Sequence, residues 1–422
     1  MSSGGAALQL IARGRQDIYL VGNPQITFFK QVYRRYTNFS MESQPIYFDG
    51  TADFGRRISA IIPRKGDLLH RMILEISLPQ VVIGDTNTSW VNAIGHAIIE
   101  EVSIEIGEKE IDKHTGEWLH VWSSLVTSSS KQTAYYNMVG RQTAYTQDAQ
   151  PGPLKLYVPL RFWFNNNIGL SLPLIALQTH PVRIIIKFRD LQNLWYNDSL
   201  KSNCTQTINA VSITDVTLYG DYIYLDVDER RKFASVKHEY LIEQVQYSPL
   251  NSIPATAAVA NIPLNFNHPI KELIWVVQQT RMTDANEIYN FSSLQLNEPG
   301  RPYDLILDSV IKFDGFDRFQ KRDISYFRLV QPWQYHTTVP DDFIYLYSFS
   351  INPEDSQPSG SFNASRLDSL VLTMTMNNAF NNNGNSMFIA PITQHDATCV
   401  VYGVNYNVLR IVAGMGACLF IA

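Results

Sequence analysis

The chain carries one β-rich module twice. Residues 216–225 read Val-Thr-Leu-Tyr-Gly-Asp-Tyr-Ile-Tyr-Leu, and residues 399–409 read Cys-Val-Val-Tyr-Gly-Val-Asn-Tyr-Asn-Val-Leu. Both are alternating apolar strands interrupted at one Tyr-Gly. Two earlier stretches pair up in the same order. His-Arg-Met-Ile-Leu-Glu-Ile at 70–76 matches Lys-Glu-Leu-Ile-Trp-Val-Val at 271–277, and Val-Arg-Ile-Ile-Ile-Lys-Phe at 182–188 matches Ser-Leu-Val-Leu-Thr-Met-Thr at 369–375. In chain order the offsets are 201, 187 and 183 residues, shrinking as shorter loops in a second copy require. Three pairs in order imply two similar modules in tandem, which suits a building block better than a catalyst.

At 422 residues the chain is too long for one typical core, and each half can bury a core without staples. Cys204, Cys399 and Cys418 are an odd set that cannot form a disulfide framework, which fits synthesis in a reducing compartment. A net charge of -5 argues against coating nucleic acid, which needs a positive field. Charged residues are 17% against roughly 25% in ordinary soluble domains, and aromatics are 12%. Large protein–protein contacts have this balance, because interface cores lose charge and gain aromatics. The longest uncharged apolar stretch, 411–422, is 12 residues against the roughly 20 of a membrane span, so it reads as a buried final segment. The first residues lack the leading positive charge of a secretory signal.

Glycines, Asn23 and Pro24 mark residues 1–24 as an arm. Strand patterns follow at 41–49, 56–62, 68–78, 97–106, 156–164, 182–188 and 212–225, then at 239–247, 257–266, 271–279, 309–313, 343–351, 369–376 and 399–412. Gly107-Glu108-Lys109-Glu110 reads as a hairpin turn. Helices are few: 116–125 sets Trp118, Leu119, Trp122 and Leu125 on one face, and 172–177 suggests a single turn begun by Pro173. The charged run 226–232 reads as a solvated connector. The expected fold is all-β: two consecutive eight-stranded jelly-roll sandwiches with short helices in loops. The expected division is an arm at 1–24, a first roll at 25–225, a linker at 226–237 and a second roll at 238–422.

No catalytic, cofactor-binding or metal-binding constellation stands out. His114 and His120 have the residue type for a metal site but the wrong spacing for one helical face, so they read as a surface turn and a helix start. Asp226 with Asp228, and Asp341 with Asp342, are neighbouring carboxylates best read as solvated loops. Asn-x-Ser/Thr sequons at Asn38, Asn87, Asn197, Asn203, Asn290 and Asn363 are no more than chance supplies; the last five are the candidate glycan sites.

Residues 22–39 read Gly-Asn-Pro-Gln-Ile-Thr-Phe-Phe-Lys-Gln-Val-Tyr-Arg-Arg-Tyr-Thr-Asn-Phe. Further on come Gly66-Asp67-Leu68, Tyr-Val-Pro-Leu-Arg-Phe-Trp-Phe at 157–164, Leu-Pro-Leu-Ile-Ala-Leu at 172–177 and His-Glu-Tyr-Leu-Ile-Glu-Gln-Val-Gln at 238–246. Tyr347-Ser348-Phe349, Asn352-Pro353, Gln-Pro-Ser-Gly at 357–360 and Asn-Tyr-Asn-Val-Leu-Arg at 405–410 complete the series. Together these motifs resemble, in order and over nearly the whole chain, the major capsid proteins of nucleocytoplasmic large DNA viruses, the group that includes phycodnaviruses and giant amoebal viruses. The resemblance implies a double jelly roll whose homotrimer is a pseudo-hexameric capsomer. It implies tiling of an icosahedral capsid shell in the virion around an internal membrane and a double-stranded DNA genome. Neighbouring capsomers, minor capsid proteins and penton proteins are the implied partners, with no enzymatic activity, no cofactor and no direct nucleic acid contact. Loops such as 84–89 and 127–150 differ freely between members, so outer-surface chemistry does not carry over.

Two sets of residues follow as candidates. Arg13, Arg15, Lys30, Arg34 and Arg35 form a basic cluster in an otherwise acidic chain, suited to an inner-face contact with minor capsid proteins or the membrane surface, unless Arg34 and Arg35 pair with carboxylates of the module. Trp195, Tyr196, Trp333 and Tyr335 are candidates for a trimer interface, whereas Trp118 and Trp122 fit the cores better. The competing class is a carbohydrate-binding or carbohydrate-active pair of jelly rolls, which requires convergent acids that the sequence does not offer.

Overall fold

The computed structural model describes residues 4–80, 88–141, 153–197, 211–295, 301–377 and 395–420. Contacts divide the chain into Met1–Asn38 and Phe39–Ala422. In the first unit the helix α1 (Gly4–Ile11) and the single turn Ile18–Val21 bury no residue. The exposed stretch continues through Asn38, so the arm is longer than the 24 residues expected.

The second unit holds twenty-two strands among the described residues, and sixteen of them, in chain order, build the two rolls. The first eight are β1 (Phe39–Ile46), β2 (Arg57–Ile61), β3 (Leu68–Leu78), β4 (Ile99–Ile106), β5 (Lys109–Thr115), β6 (Leu154–Pro159), β7 (Val182–Phe188) and β8 (Asp215–Leu225). The next eight are β9 (His238–Tyr247), β10 (Val259–Pro263), β11 (Pro269–Gln279), β12 (Ile306–Phe313), β13 (Phe316–Asp317), β14 (Ile344–Ser348), β15 (Leu370–Met376) and β16 (Ala397–Val412). The first set forms antiparallel sheets β1-β8-β3-β6 and β2-β7-β4-β5; the second forms β9-β16-β11-β14 and β10-β15-β12-β13. Each strand of the second roll occupies the place of the strand eight before it. Both rolls are therefore eight-stranded jelly rolls of one topology, with their apolar strand faces turned into two cores.

The register tests the repeats residue by residue. Gly220 lies opposite Met72 and Gly403 opposite Leu273, which reproduces the offsets of 183 and 201. Both Tyr-Gly pairs sit within continuous strands. A Cβ on Gly220 would lie 2.9 Å from Leu69 Cδ1, and one on Gly403 would lie 3.2 Å from Phe266 Cδ2, so glycine admits a facing core side chain at both places. The third pair is misaligned by one residue. It sets buried Ile184 and Ile186 against the outward Val371 and Thr373, whereas Leu370, Leu372 and Met374 are the inward set. A slip of one exchanges the two faces of a strand.

Other expectations need correction. Gly107 and Glu108 both have positive φ, 60° and 66°, and make a tight hairpin whose return strand β5 the sequence reading lacked. His114 lies in β5, buried, rather than in a surface turn. Residues 172–177 form a bridge from Leu172 to Leu69 and a turn, not a helix. The connector 226–232 is part of a helix, Val227–Ser235, N-capped by Asp226, whose Oδ1 accepts the Val227 N–H at 2.8 Å. The helices α2 (Gly116–Val126) and α3 (Ser129–Val139) join β5 to β6, and α3 falls in a segment read as loop. The final segment is half outward-facing: Met415–Cys418 folds back on β16 through a turn at Ala413-Gly414.

Candidate functional site

For a chain built of two like blocks, the functional geometry lies in the joint between them and in the surfaces left open. The joint starts at α2. Thr115 caps it, its Oγ1 accepting the Trp118 N–H at 3.1 Å. The apolar stripe expected from the sequence forms, but it does not serve its own roll. Trp118, Val121, Trp122 and Leu125 belong to the core of the second roll, while Leu119 belongs to the first. The Trp118 ring centroid lies 5.2 Å from that of Tyr402, whose hydroxyl donates to Glu117 at 2.8 Å. The exchange runs both ways: Ile242, Leu409, Ile411 and Cys418 of the second roll pack into the core of the first. Backbone contacts add to this, with Val245 N–H donating to Asp112 Oδ1 at 3.1 Å and Thr179 N–H to Gly414 O at 2.9 Å. Each buried Trp removes enough area to contribute on the order of 5 kcal/mol as an upper bound, so the rolls form one block.

Buried charge fixes the geometry of the same joint. Asp342 of the second roll accepts from Arg141 Nη2 at 2.7 Å and Ser124 Oγ at 3.2 Å, with His120 Nε2 at 3.5 Å. Burial pushes the Asp342 carboxyl up, but the Arg141 guanidinium and His120 outweigh it and hold it well below the usual carboxylate range. Lys271, fully buried, donates to Glu243 Oε1 and Pro353 O, both at 2.5 Å, and lies 5.8 Å from the centroid of the Trp122 ring. His336 is held between Glu272 Oε2 and Glu354 Oε1, each at 3.0 Å, with its side chain fully buried. Burial lowers the His336 pKa; Glu272 and then Glu354 more than reverse this and push it up to about 9. Trp122 meets the His336 ring edge-on at 6.0 Å, so this ion-paired group touches the first roll directly.

The candidates read from the sequence fall in several places. Trp118 and Trp122 are core residues, of the opposite roll. Trp195 is 0% exposed within the single chain and has no surface to offer a neighbour, which corrects its assignment to an interface. The Tyr196 side chain lies outside the described residues. Trp333 is 74% exposed, and Tyr335 is half-buried two residues on. Arg13, Arg15, Lys30, Arg34 and Arg35 are exposed and form no ion pair among the described residues. With Asp17 they give residues 1–38 a net charge of +4 in a chain of net -5. Around them Leu8, Ile11, Tyr19, Leu20, Phe28 and Phe29 are exposed as well.

The carboxylates split. Asp342 is not the solvated loop residue expected but the centre of the joint's ion pair, while Asp228 is exposed on its helix. His120 stacks on Tyr289, centroids 4.1 Å apart, and His114 Nε2 sits 3.0 Å from Asp112. Of the sequons, Asn87, Asn203 and the Asn197 side chain lie outside the described residues. Asn290 is folded in, its Nδ2 donating to Glu287 Oε2 at 2.6 Å and Leu294 O at 2.7 Å beside buried Phe291 and Ser292, which corrects it as a glycan site. Asn363 is exposed.

Two tandem jelly rolls of one topology, locked by exchanged core residues, define a double jelly-roll protein of the kind that builds viral shells. Comparison with known proteins gives the family. Residues 27–226 match the family described as major capsid protein N-terminus, and residues 229–417 match the large eukaryotic DNA virus major capsid protein family. The major capsid protein of Pyramimonas orientalis virus is 39% identical, over 98% of both chains. That of Paramecium bursaria Chlorella virus 1 is 36% identical, again over 98% of both. Among solved structures, the PBCV-1 capsid protein VP54 superposes with a TM-score of 0.80 at 31% identity, covering 94% of this chain and all of that one. The Faustovirus major capsid protein, at 11% identity and a TM-score of 0.73, shares the fold. The chain belongs to the major capsid proteins of large eukaryotic DNA viruses. It is a structural protein of the virion's capsid shell, and its relatives and structural neighbours are capsid proteins rather than enzymes.

Proposed function

We propose that three copies of this chain close into a pseudo-hexameric capsomer that tiles an icosahedral shell. The observation that carries this is the equivalence of the two rolls, strand for strand, within one compact unit. A threefold axis acting on such a block gives six similar corners, and a near-hexagonal prism can cover a closed surface. Neighbouring capsomers meet along those corners, and minor capsid and penton proteins fill the seams and vertices.

The arm faces inward in this reading. Its five cations and exposed aromatic and aliphatic side chains suit a contact with minor capsid proteins or an anionic membrane surface. The acidic remainder of the chain suits a shell that does not touch the genome. The free thiols of Cys399 and Cys418 suit synthesis in the host cytoplasm. Of the five candidate glycan sites, Asn363 is the one that is exposed among the described residues and open to a glycan.

Light scattering on the purified protein tests the assembly step. A mass of three times the 48.1 kDa chain is the expected result. A monomer at all concentrations would refute it.

A further inference from the structure

The two rolls are alike in topology but unlike in what covers them. In the second roll one row across the sheet β9-β16-β11-β14 runs Tyr247, Tyr402, Ile274, Leu346. Tyr402, Ile274 and Leu346 are buried, and Tyr402 lies against Trp118 of α2. The covering element is therefore the connection that leaves β5 of the first roll. The equivalent row of the first roll, across β1-β8-β3-β6, runs Pro45, Tyr219, Ile73, Pro159. It is just as apolar, yet all four residues are half-exposed.

The second roll has its own element in the place of α2. Between β13 and β14 the π-helical turn Tyr326–Val330 runs into the helix Gln331–Tyr335. Its Phe327 is buried in its own roll, but Leu329, Val330 and Trp333 are 43%, 38% and 74% exposed. So the chain holds one filled joint and the two unfilled halves of a second one. A covering helix with exposed apolar side chains sits on the second roll, and an uncovered Tyr-centred row sits on the first.

We infer that the segment 326–335 of one copy covers the Pro45-Tyr219-Ile73-Pro159 row of the next, repeating between chains the joint that α2 makes within the chain. The occupant of each open surface is thus a second copy of this protein. Such a contact is heterologous, roll two to roll one, and closes when the chain of rolls returns on itself. Trp333 is the anchor on one side and Tyr219 the platform on the other, in the roles that Trp118 and Tyr402 hold inside the chain. This rests on the trimeric reading above and adds to it which faces meet.

The test is sedimentation of the full-length protein across a concentration series, with Trp333→Ala, Tyr219→Arg and, as a control on a different surface, Phe316→Arg, a side chain 80% exposed. Trp333 and Phe316 lie at the surface of the single chain and Tyr219 is half-exposed, so circular dichroism and melting of the dissociated chains should match the unaltered protein. Loss of a central Trp anchor should raise the dissociation constant about 30-fold or more. Trp333→Ala and Tyr219→Arg should each release monomer, and Phe316→Arg should not. An unaltered protein that trimerises while both variants trimerise equally well would overturn the inference and leave the trimer standing. Variants that trimerise but fail to build shells would assign these surfaces to a different protein and overturn it too. An unaltered protein that never leaves the monomer would remove the trimeric reading itself, and this inference with it.

Discussion

His336 should give the chain a stability that depends on mildly alkaline pH. Its imidazole lies between Glu272 and Glu354 at 3.0 Å from each, fully buried, and its pKa is pushed up to about 9. Against about 6.5 in the unfolded chain, that difference corresponds to about 3 kcal/mol. Because the folded value is the higher one, the contribution is complete below about pH 6.5 and is lost as pH rises through 9, with less than half remaining at about pH 8. His336→Gln removes the titrating group and leaves Glu272 without its cation, at a cost of about 3–5 kcal/mol near pH 6.5. Guanidinium unfolding midpoints of both proteins, at fixed protein concentration and at steps from pH 6 to 9.5, measure this. The unaltered protein should weaken across the series while the variant changes little, so the two curves converge. Parallel curves, offset by a constant amount, would refute the reasoning, because the ion pair would then not be set by His336 protonation.

Asp342→Asn should cost about 3–5 kcal/mol by stranding the largely buried Arg141, and it should flatten the acid limb of the stability profile. The Asp342 pKa is depressed, so its contribution is present above about pH 4 and fades as pH falls through the lowered value; a variant with an unchanged acid limb would contradict this. Trp195→Ala should destabilise the chain by about 3–5 kcal/mol in thermal unfolding, since the ring is wholly buried; a folded, dissociated chain of normal stability would return Trp195 to the interface. Removing residues 1–38 should leave the melting of the remaining chain unchanged, because α1 and the turn after it bury nothing, while shell assembly fails; normal shells from the truncated protein would sink the inward role of the arm.

The double module was legible because jelly-roll strands have one face in a core. Leu68–Leu78, Val182–Phe188 and Leu370–Met376 alternate, and alternation survives in the sequence. The strand β5 escaped because Lys-Glu-Ile-Asp-Lys-His-Thr has polar residues on both faces. Its inward Asp112 and His114 are a buried pair, and its outward Lys113 faces Glu101 across the hairpin and Glu110 on its own strand. The helix α3 escaped because only Tyr135 and Val139 of its eleven residues are buried, which leaves no apolar stripe to detect.

The joint was harder still. Helical spacing revealed the stripe on α2, but nothing local says which of two cores a stripe enters. One signal was present and unused: Lys271-Glu272 interrupts the apolar run of β11, and charges in a run of that kind must be paired when buried. Their partners, Glu243 and His336, come from 28 and 64 residues away and become neighbours only in the fold. For the tryptophans, composition cannot separate an interface anchor from a core residue. Trp195 and Trp333 are the same residue type in similar polar surroundings, and the fold buries one and presents the other.

The most direct test of the central claim is a cryo-electron microscopy reconstruction of the purified oligomer. It should show three copies arranged as a ring of six jelly rolls, with nearly the same joint repeated six times. Three of those joints would carry α2 over Tyr402 within a chain, and three would carry Trp333 over Tyr219 between chains. A twofold oligomer, or a threefold one in which the Tyr219 row faces solvent, would contradict the account.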